Sequence, residues 1–258
     1  MTSPVADEAL YEAIRASWAA DAPTYDASPT HGLRSRREQF AWRKVFGQTF
    51  DRLDQTTPLR ILDVGAGTGE MTMLLANMGY KVTGIDLTPA MLKIAQEKAD
   101  RLGIPVTLLE GRAEQLPFAD DSFDVVFSRH LFWTLPKPVP AVREWARVTR
   151  PGGLVAIADG WWANPSGNVR RALAKPLRRL FEGRHHEHPG YDAIGAQLPL
   201  NGGVSPYSIR YYLDQGGLER IRVRDLKSIR RAERRSLPLY RWIDQPRYTY
   251  LASGFRPE

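Results

Sequence analysis

Three glycines at alternate positions follow a carboxylate in the stretch Asp63-Val-Gly-Ala-Gly-Thr-Gly69. Because Gly65, Gly67 and Gly69 have no Cβ atoms, the backbone can turn sharply there and a ligand can approach it closely. The free N–H groups at the start of a following helix would point at the same ligand. The stretch therefore predicts a loop that binds a nucleotide-containing cofactor.

The spacing of the glycines and the acid before them distinguish between cofactors. The dinucleotide fingerprint has its third glycine three residues after the second, but Glu70 occupies that position here. Asp63 would repel a pyrophosphate and attract a cationic ligand. S-adenosylmethionine, which carries an ammonium and a sulfonium, is such a ligand.

A second acid, Asp86, ends the next apolar strand, 21 residues after Gly65. A carboxylate at this position can accept hydrogen bonds from both hydroxyls of a ribose, as in dinucleotide sites. Leu87 and Met91 follow it, and we expect them to flank an adenine ring. A simple helix-entry turn at Asp86, and packing in the core for Met91, are the alternatives.

A candidate base comes later in the chain, at His130, which follows a strand and titrates near neutrality. A packing or hydrogen-bonding histidine is the alternative. Tyr25 and His31 lie in a segment that Pro23, Pro29 and Gly32 break into a loop between two helices. The aromatic residues of this loop would suit packing in an N-terminal cap; the family resemblance described below implies instead a lid that closes over the cofactor and excludes water.

The elements that must position these residues alternate between strand and helix. Short apolar strands are predicted at 59–64, 80–85, 106–109, 123–127 and 154–158, with amphipathic helices after the first, second and fourth. This alternation predicts an α/β fold with a doubly wound parallel sheet. The carboxyl ends of its strands would bring the glycine loop, Asp86 and His130 to one edge.

These motifs together resemble the class I S-adenosylmethionine-dependent methyltransferases. Asp63–Gly69 is similar to the first motif of that family, and Arg150-Pro-Gly-Gly153 before an apolar strand is another of its hallmarks. Ala113-Glu114 before Leu116-Pro-Phe118 resembles the adenine-contacting loop, where Arg112 replaces the usual aspartate. Ser128-Arg-His130 resembles the small-molecule branch that includes the ubiquinone and menaquinone methyltransferases.

The resemblance implies a seven-stranded, mostly parallel, Rossmann-like sheet whose last strand is antiparallel and lies between the fifth and sixth. It implies an N-terminal helical cap or lid at 1–50 and a methyltransferase domain at 51–258, with a substrate-covering insertion at about 160–205. His130, Tyr25 and His31 are the expected catalytic residues. The expected cofactor-binding residues are Asp63, Gly65, Ala66, Gly67, Gly69, Asp86, Leu87, Met91, Ala113, Glu114 and Ser128.

Composition limits the class of protein further. With 258 residues and 43% hydrophobic content, the chain can bury one sizeable core. It contains no cysteine, which excludes disulfides and thiolate chemistry and fits a reducing cytoplasm. Because no apolar run of membrane-spanning length occurs and acids interrupt the N-terminus, we expect a cytoplasmic protein.

Basic residues are concentrated in two segments, at 170–188 and at 220–235, and the chain carries a net charge of +7. They suit an anionic or aromatic small-molecule substrate, and equally a solvated surface. The histidines at 185–188 have no accompanying ligand cluster, so we expect no metal site.

The alternatives that remain open are an RNA or protein methyltransferase, a non-catalytic S-adenosylmethionine-binding protein and a nicotinamide oxidoreductase.

Overall fold

The computed structural model describes residues 4–27, 31–33, 35–161, 194–237 and 248–258, in which helices and strands alternate. The helices are α1 (Pro4–Asp21), α2 (Arg36–Phe50), α3 (Glu70–Ala76), α4 (Pro89–Leu102), α5 (Pro138–Val148), α6 (Ser208–Gln215) and α7 (Lys227–Arg235). The strands are β1 (Arg60–Val64), β2 (Lys81–Asp86), β3 (Thr107–Glu110), β4 (Phe123–Arg129), β5 (Thr149–Trp161), β6 (Glu219–Asp225) and β7 (Tyr248–Phe255). Short 3₁₀ helices span Ala22–Ala27 and Phe132–Thr134.

The strands form one seven-stranded sheet in the order β3-β2-β1-β4-β5-β7-β6. β1 to β5 are parallel, whereas β7 runs antiparallel between β5 and β6. The predicted doubly wound fold and the position of its antiparallel strand are therefore confirmed. The strand order reverses between β1 and β4, and the crevice outside the carboxyl ends at such a switch point is the usual ligand site.

Both faces of the sheet are covered, which explains why its central strands are continuous apolar runs. Leu62 and Val64 of β1 belong to a hydrophobic cluster on one face, completed by α5 and α6. Ile61 belongs to the cluster on the opposite face, which α2, α3 and α7 complete. The alternation along β1 follows from the two-residue period of a strand.

Arg150-Pro-Gly-Gly153, which the sequence analysis places before an apolar strand, lies within the strand itself. α5 ends at Val148, and β5 begins at Thr149, so the motif forms the irregular start of the strand. Gly152 has φ +68°, and a Cβ at Gly153 would lie 2.6 Å from the Thr149 side chain. These glycines therefore serve backbone conformation and close packing, and the helix ends before them.

Two helices form in the N-terminal region, as predicted. α2 begins with the N-cap residue Ser35, whose Oγ accepts a hydrogen bond from the Glu38 amide and donates one to the Glu38 carboxylate. The division of the chain at residue 50 remains a prediction. Of the insertion predicted at 160–205, residues 162–193, which include the basic segment at 170–188 and its histidines, lie outside the described residues. None of the helices in the described part of the chain has the length and hydropathy that a bilayer crossing requires.

Candidate active site

A cavity of about 740 Å³ opens at the carboxyl ends of β1, β2 and β4. It lies at the switch point of the sheet, where the topology predicts a ligand site. Nine of the residues selected from the sequence line it: Tyr25, Gly65, Gly67, Asp86, Leu87, Met91, Ala113, Glu114 and His130.

The glycine loop has a backbone that other residues rarely adopt. Gly65 and Gly67 have φ angles of +72° and +54°. A Cβ at Gly65 would lie 2.9 Å from the Leu131 side chain, whereas a Cβ at Gly67 would meet no atom closer than 4.0 Å. Gly67 thus leaves open space beside the loop, which a ligand of the cavity can fill.

Asp86 holds the glycine loop and the start of α4. Its Oδ2 accepts a hydrogen bond from the Gly67 amide at 2.8 Å, and its Oδ1 accepts one from the Thr88 amide at 2.8 Å. Burial raises the pKa of Asp86. Because each carboxylate oxygen accepts more than one hydrogen bond, Asp86 retains capacity for two ribose hydroxyls. Thr88 occupies the N-cap position, but its side chain makes no capping bond.

Asp63 lies deeper than Asp86. Its side chain is 2% exposed, and its Oδ2 accepts a hydrogen bond from the Thr72 hydroxyl at 2.6 Å. Burial, together with the charge of Asp86, raises the pKa of Asp63 to about 6. Asp63, Ala66 and His31 line a smaller cavity under the glycine loop, next to the main one.

Two predicted cofactor residues line neither cavity. Gly69 is the N-cap of α3, and a Cβ there would lie 2.9 Å from the Ala95 Cβ of α4. Ser128 is fully buried in β4, where it is paired in register with Val64. The structure therefore gives Gly69 a role in packing two helices and places Ser128 inside the sheet.

The segment after α1 covers one side of the cavity. Tyr25 stacks on His31 with ring centroids 4.1 Å apart and meets Trp18 edge-on at 6.1 Å. Burial raises the pKa of Tyr25, so its phenol remains protonated. The Asp26 carboxylate accepts a hydrogen bond from Thr68 of the glycine loop and pairs with Lys98 of α4, each at 2.6 Å.

Helix α1 closes the opposite end of the cavity through residues that the sequence analysis did not single out. Tyr11 and Ile14 line the cavity beside the loop after β3. Glu8 pairs with Arg112, whose guanidinium lies 4.1 Å from the Tyr11 ring centroid. Arg112, the departure from the family motif, therefore holds α1. The helical spacing of Tyr11, Ile14 and Trp18 was the available signal.

Glu114 lines the same end of the cavity as Tyr11. Burial raises the pKa of Glu114. Its Oε1 is buried and has no hydrogen-bond partner among the described residues. A buried acceptor of this kind is costly unless a ligand supplies a donor, and the amino group of an adenine is such a donor.

His130 has φ +58°, a left-handed conformation that is uncommon for a residue with a side chain. Its amide donates to the Ala158 carbonyl, and its own carbonyl accepts from the Trp133 indole, both at 3.0 Å. Such backbone outliers persist where the surroundings hold them and cluster at functional sites. His130 and its neighbour Arg129 line the main cavity, the smaller cavity under the loop and a third cavity between α2 and α7.

Asp159 lies near the end of β5 and supports the loop that carries His130. The sequence analysis did not single it out. It is 1% exposed and accepts hydrogen bonds from the amides of Gly160 at 2.7 Å and Trp133 at 3.3 Å. Burial raises the pKa of Asp159 to about 7. A single acid after an apolar run was the only signal in the sequence.

The residues of the main cavity fit S-adenosylmethionine. Asp86 is positioned for a ribose, the unpartnered Glu114 Oε1 for an adenine amino group, and Gly67 leaves the space that the ligand would fill. The buried carboxylate of Asp63 suits the cationic groups of the same molecule.

Comparison with known proteins gives matches to methyltransferases. Residues 62–157 match the family model described as a methyltransferase domain. A demethylmenaquinone methyltransferase of Thermus thermophilus is 35% identical over 140 residues, which is 54% of this chain and 61% of that protein. An uncharacterised protein of Mycobacterium tuberculosis is 39% identical over 120 residues, 46% of this chain and 43% of that protein. The chain thus spans less than two thirds of the length of these relatives.

Among solved structures, a SAM-dependent methyltransferase from Aquifex aeolicus has the same fold. It superposes with a TM-score of 0.58 at 21% identity and covers 86% of this chain and 93% of its own. The sheet thus has the fold of this methyltransferase, and residues 62–157 match the model of a methyltransferase domain.

Proposed function

We propose that the chain transfers the methyl group of S-adenosylmethionine to a small molecule. The observation that carries this proposal is the position of Asp86, whose carboxylate holds the Gly67 amide at 2.8 Å inside the main cavity. Glu114 and His130 line the same cavity, so a ligand held through its ribose would have polar groups on either side.

The protein's own contribution is to bind the cofactor and the acceptor, to orient them and to enclose them. S-adenosylmethionine, when bound, supplies an already activated methyl group. Asp86 would hold its ribose and Glu114 its adenine, while α1 and the segment around Tyr25 exclude water. Fixing the approach of two reactants in a closed site contributes much of the rate enhancement in group transfer.

His130 is the group that we propose as the base. It lines the main cavity at the end of β4, and its backbone is held on both sides by hydrogen bonds to Ala158 and Trp133. A neutral imidazole there would take the proton that the acceptor atom releases when it is methylated. Tyr25 and His31, stacked on each other, would cover the acceptor.

Aromatic side chains suggest the class of acceptor. Trp18 and Tyr25 line the cavity, and Trp133 meets Trp18 edge-on with centroids 6.3 Å apart. Aromatic walls favour a planar or apolar ligand. One relative is a demethylmenaquinone methyltransferase. We therefore propose a phenolic or quinol-like acceptor, in the synthesis of a quinone-like or specialised metabolite in the cytoplasm.

The test has two stages. Calorimetric titration with S-adenosylmethionine, S-adenosylhomocysteine and NAD⁺ should give binding of the first two only. Incubation with methyl-labelled S-adenosylmethionine and a panel of phenols, demethylquinols and amines should then transfer label to a phenol or quinol. Binding of NAD⁺ alone would refute the cofactor assignment, and tight binding of S-adenosylmethionine without transfer to any member would refute the acceptor class.

A further inference from the structure

A strongly basic surface lies on α2 and α7, outside the main cavity. Arg36, Arg37 and Phe40 of α2, with Arg231 and Arg235 of α7, line an open groove between the two helices. Phe40 is 70% exposed, the largest exposed fraction of any phenylalanine among the described residues. We call this surface the basic face.

The two helices of the basic face expose cationic side chains but no acidic ones. Glu38 and Glu233 are the only carboxylates within the two helices, which are described in full, and they are 2% and 8% exposed. The exposed cations of the two helices are Arg36, Arg37, Lys44, Lys227, Arg231, Arg234 and Arg235. The outward positive charge is therefore not neutralised within these helices.

The two helices are held together as a unit. The Ser236 hydroxyl, directly after α7, donates to the Ser35 hydroxyl at the N-cap of α2, at 3.1 Å. Trp42 and Ile229 are buried in one hydrophobic cluster beneath them. The arginines therefore lie on two helices that are already packed together. Binding at this face costs little conformational entropy, because the backbone is ordered beforehand.

We propose that the basic face docks on a bilayer surface rich in anionic phospholipid. Clustered arginines are attracted to such a surface by about 1 kcal/mol each. An aromatic side chain among them, here Phe40, enters the headgroup boundary, as in amphipathic interfacial helices. Attraction by charge and insertion of an apolar anchor together make such binding stable and reversible.

A single-stranded nucleic acid fits the face less well. Strands of RNA bind where successive aromatic side chains stack successive bases. Among the residues that the structure describes, Phe40 is the only aromatic one that lines the groove. An RNA would therefore have charge contacts and one stacking platform, whereas a bilayer needs only charge and one anchor.

The third cavity lies beneath α2 and α7, among their buried residues. Trp42 of α2 and Ile229 of α7 line the third cavity, which His130 also lines. The inference itself does not depend on methyl transfer, because its readout is binding to vesicles in the absence of any methyl donor.

The experiment is co-sedimentation of the full chain with phosphatidylcholine vesicles, with and without phosphatidylglycerol. Binding should require phosphatidylglycerol and should weaken as salt is raised. The double variant Arg231→Glu/Arg235→Glu should bind at least about tenfold more weakly, because each cation near the surface contributes about 1 kcal/mol. Phe40→Ser should bind more weakly while keeping the salt dependence.

The matched control is Lys93→Glu/Arg101→Glu, which makes the same charge change at exposed positions of α4. It should bind vesicles nearly as well as the unmodified protein, and circular dichroism should show all variants folded. Equal loss in both double variants would overturn the proposal, since it would reflect net charge alone. Binding to polyuridylate without binding to phosphatidylglycerol vesicles would overturn it in favour of RNA.

Discussion

The Asp26 carboxylate accepts a hydrogen bond from the Thr68 hydroxyl at 2.6 Å, which joins the segment after α1 to the glycine loop. Lys98 pairs with the other oxygen of Asp26, so three separate parts of the chain meet at this acid. Because Gly67, next to Thr68, lines the main cavity, this contact attaches the N-terminal segment to the wall of the cavity.

We predict that Asp26→Ala weakens the binding of S-adenosylhomocysteine about tenfold, mainly through faster dissociation. Loss of one charge-assisted hydrogen bond and one ion pair corresponds to a free energy of this size. Stopped-flow fluorescence measures the dissociation rate. The exposed Glu97 of the same helix as Lys98 supplies the control, Glu97→Ala, and equal rates in the two variants would show that Asp26 does not hold a lid.

Asp86→Ala should reduce cofactor affinity by about a hundredfold, because hydrogen bonds to a charged group are each worth about 1.5 to 3 kcal/mol. Calorimetry with S-adenosylhomocysteine and its 2′-deoxy analogue separates ribose recognition from loop folding. The unmodified protein should prefer the ribose compound, and Asp86→Ala should not discriminate. A variant that keeps the preference would contradict the role given to Asp86.

Glu114→Ala should remove discrimination between adenine and hypoxanthine in the cofactor. The buried Glu114 Oε1 has no partner among the described residues, so it can accept from the exocyclic amino group, which hypoxanthine lacks. We expect the unmodified protein to bind S-adenosylhomocysteine at least about tenfold more tightly than the inosine analogue. Arg112→Ala, which loosens α1 without touching this acceptor, should preserve the ratio.

Affinity for S-adenosylmethionine should increase with pH through the pKa of Asp63. Burial raises this pKa to about 6, so the carboxyl is mostly protonated below that value and ionised above it. A cationic ligand favours the ionised form, hence binding releases a proton and strengthens as the pH rises from about 5 to about 7. Calorimetry across this range should show the trend, and Asp63→Asn should flatten it.

The same raised pKa affects stability in the opposite direction. In the unfolded chain Asp63 ionises near the ordinary aspartate pKa of 3.8, so the folded protein binds more protons between that value and about 6. The contribution of Asp63 to the free energy of unfolding therefore falls as pH rises through this window. Denaturant titrations of the ligand-free protein and of Asp63→Asn, compared at both ends of the window, measure it.

His130→Asn should reduce turnover by about a hundredfold while leaving cofactor affinity unchanged. Asparagine tolerates the left-handed backbone that His130 adopts, so the variant should fold, but it cannot take a proton. Normal turnover in a variant of unchanged affinity would exclude His130 as the base.

The sequence by itself determined the fold class and one part of the proposed cofactor site, namely the glycine loop and Asp86. Glycines at alternate positions impose left-handed backbone at Gly65 and Gly67, and an acid at the end of a strand must reach the edge where that loop lies. Both signals are local, and the parallel sheet brings them together whatever the rest of the chain does. Asp86 was therefore predictable from spacing alone.

Only the tertiary structure decided what encloses the site. Asp26 meets Thr68 across 42 residues of sequence, and Glu8 meets Arg112 across 104. No periodicity or motif encodes such contacts, because they depend on how separately formed elements pack. For the same reason the sequence did not show that Gly69 packs two helices together, or that Asp159 supports the His130 loop. Whether a residue faces a ligand or a neighbouring element is set by the packing around it.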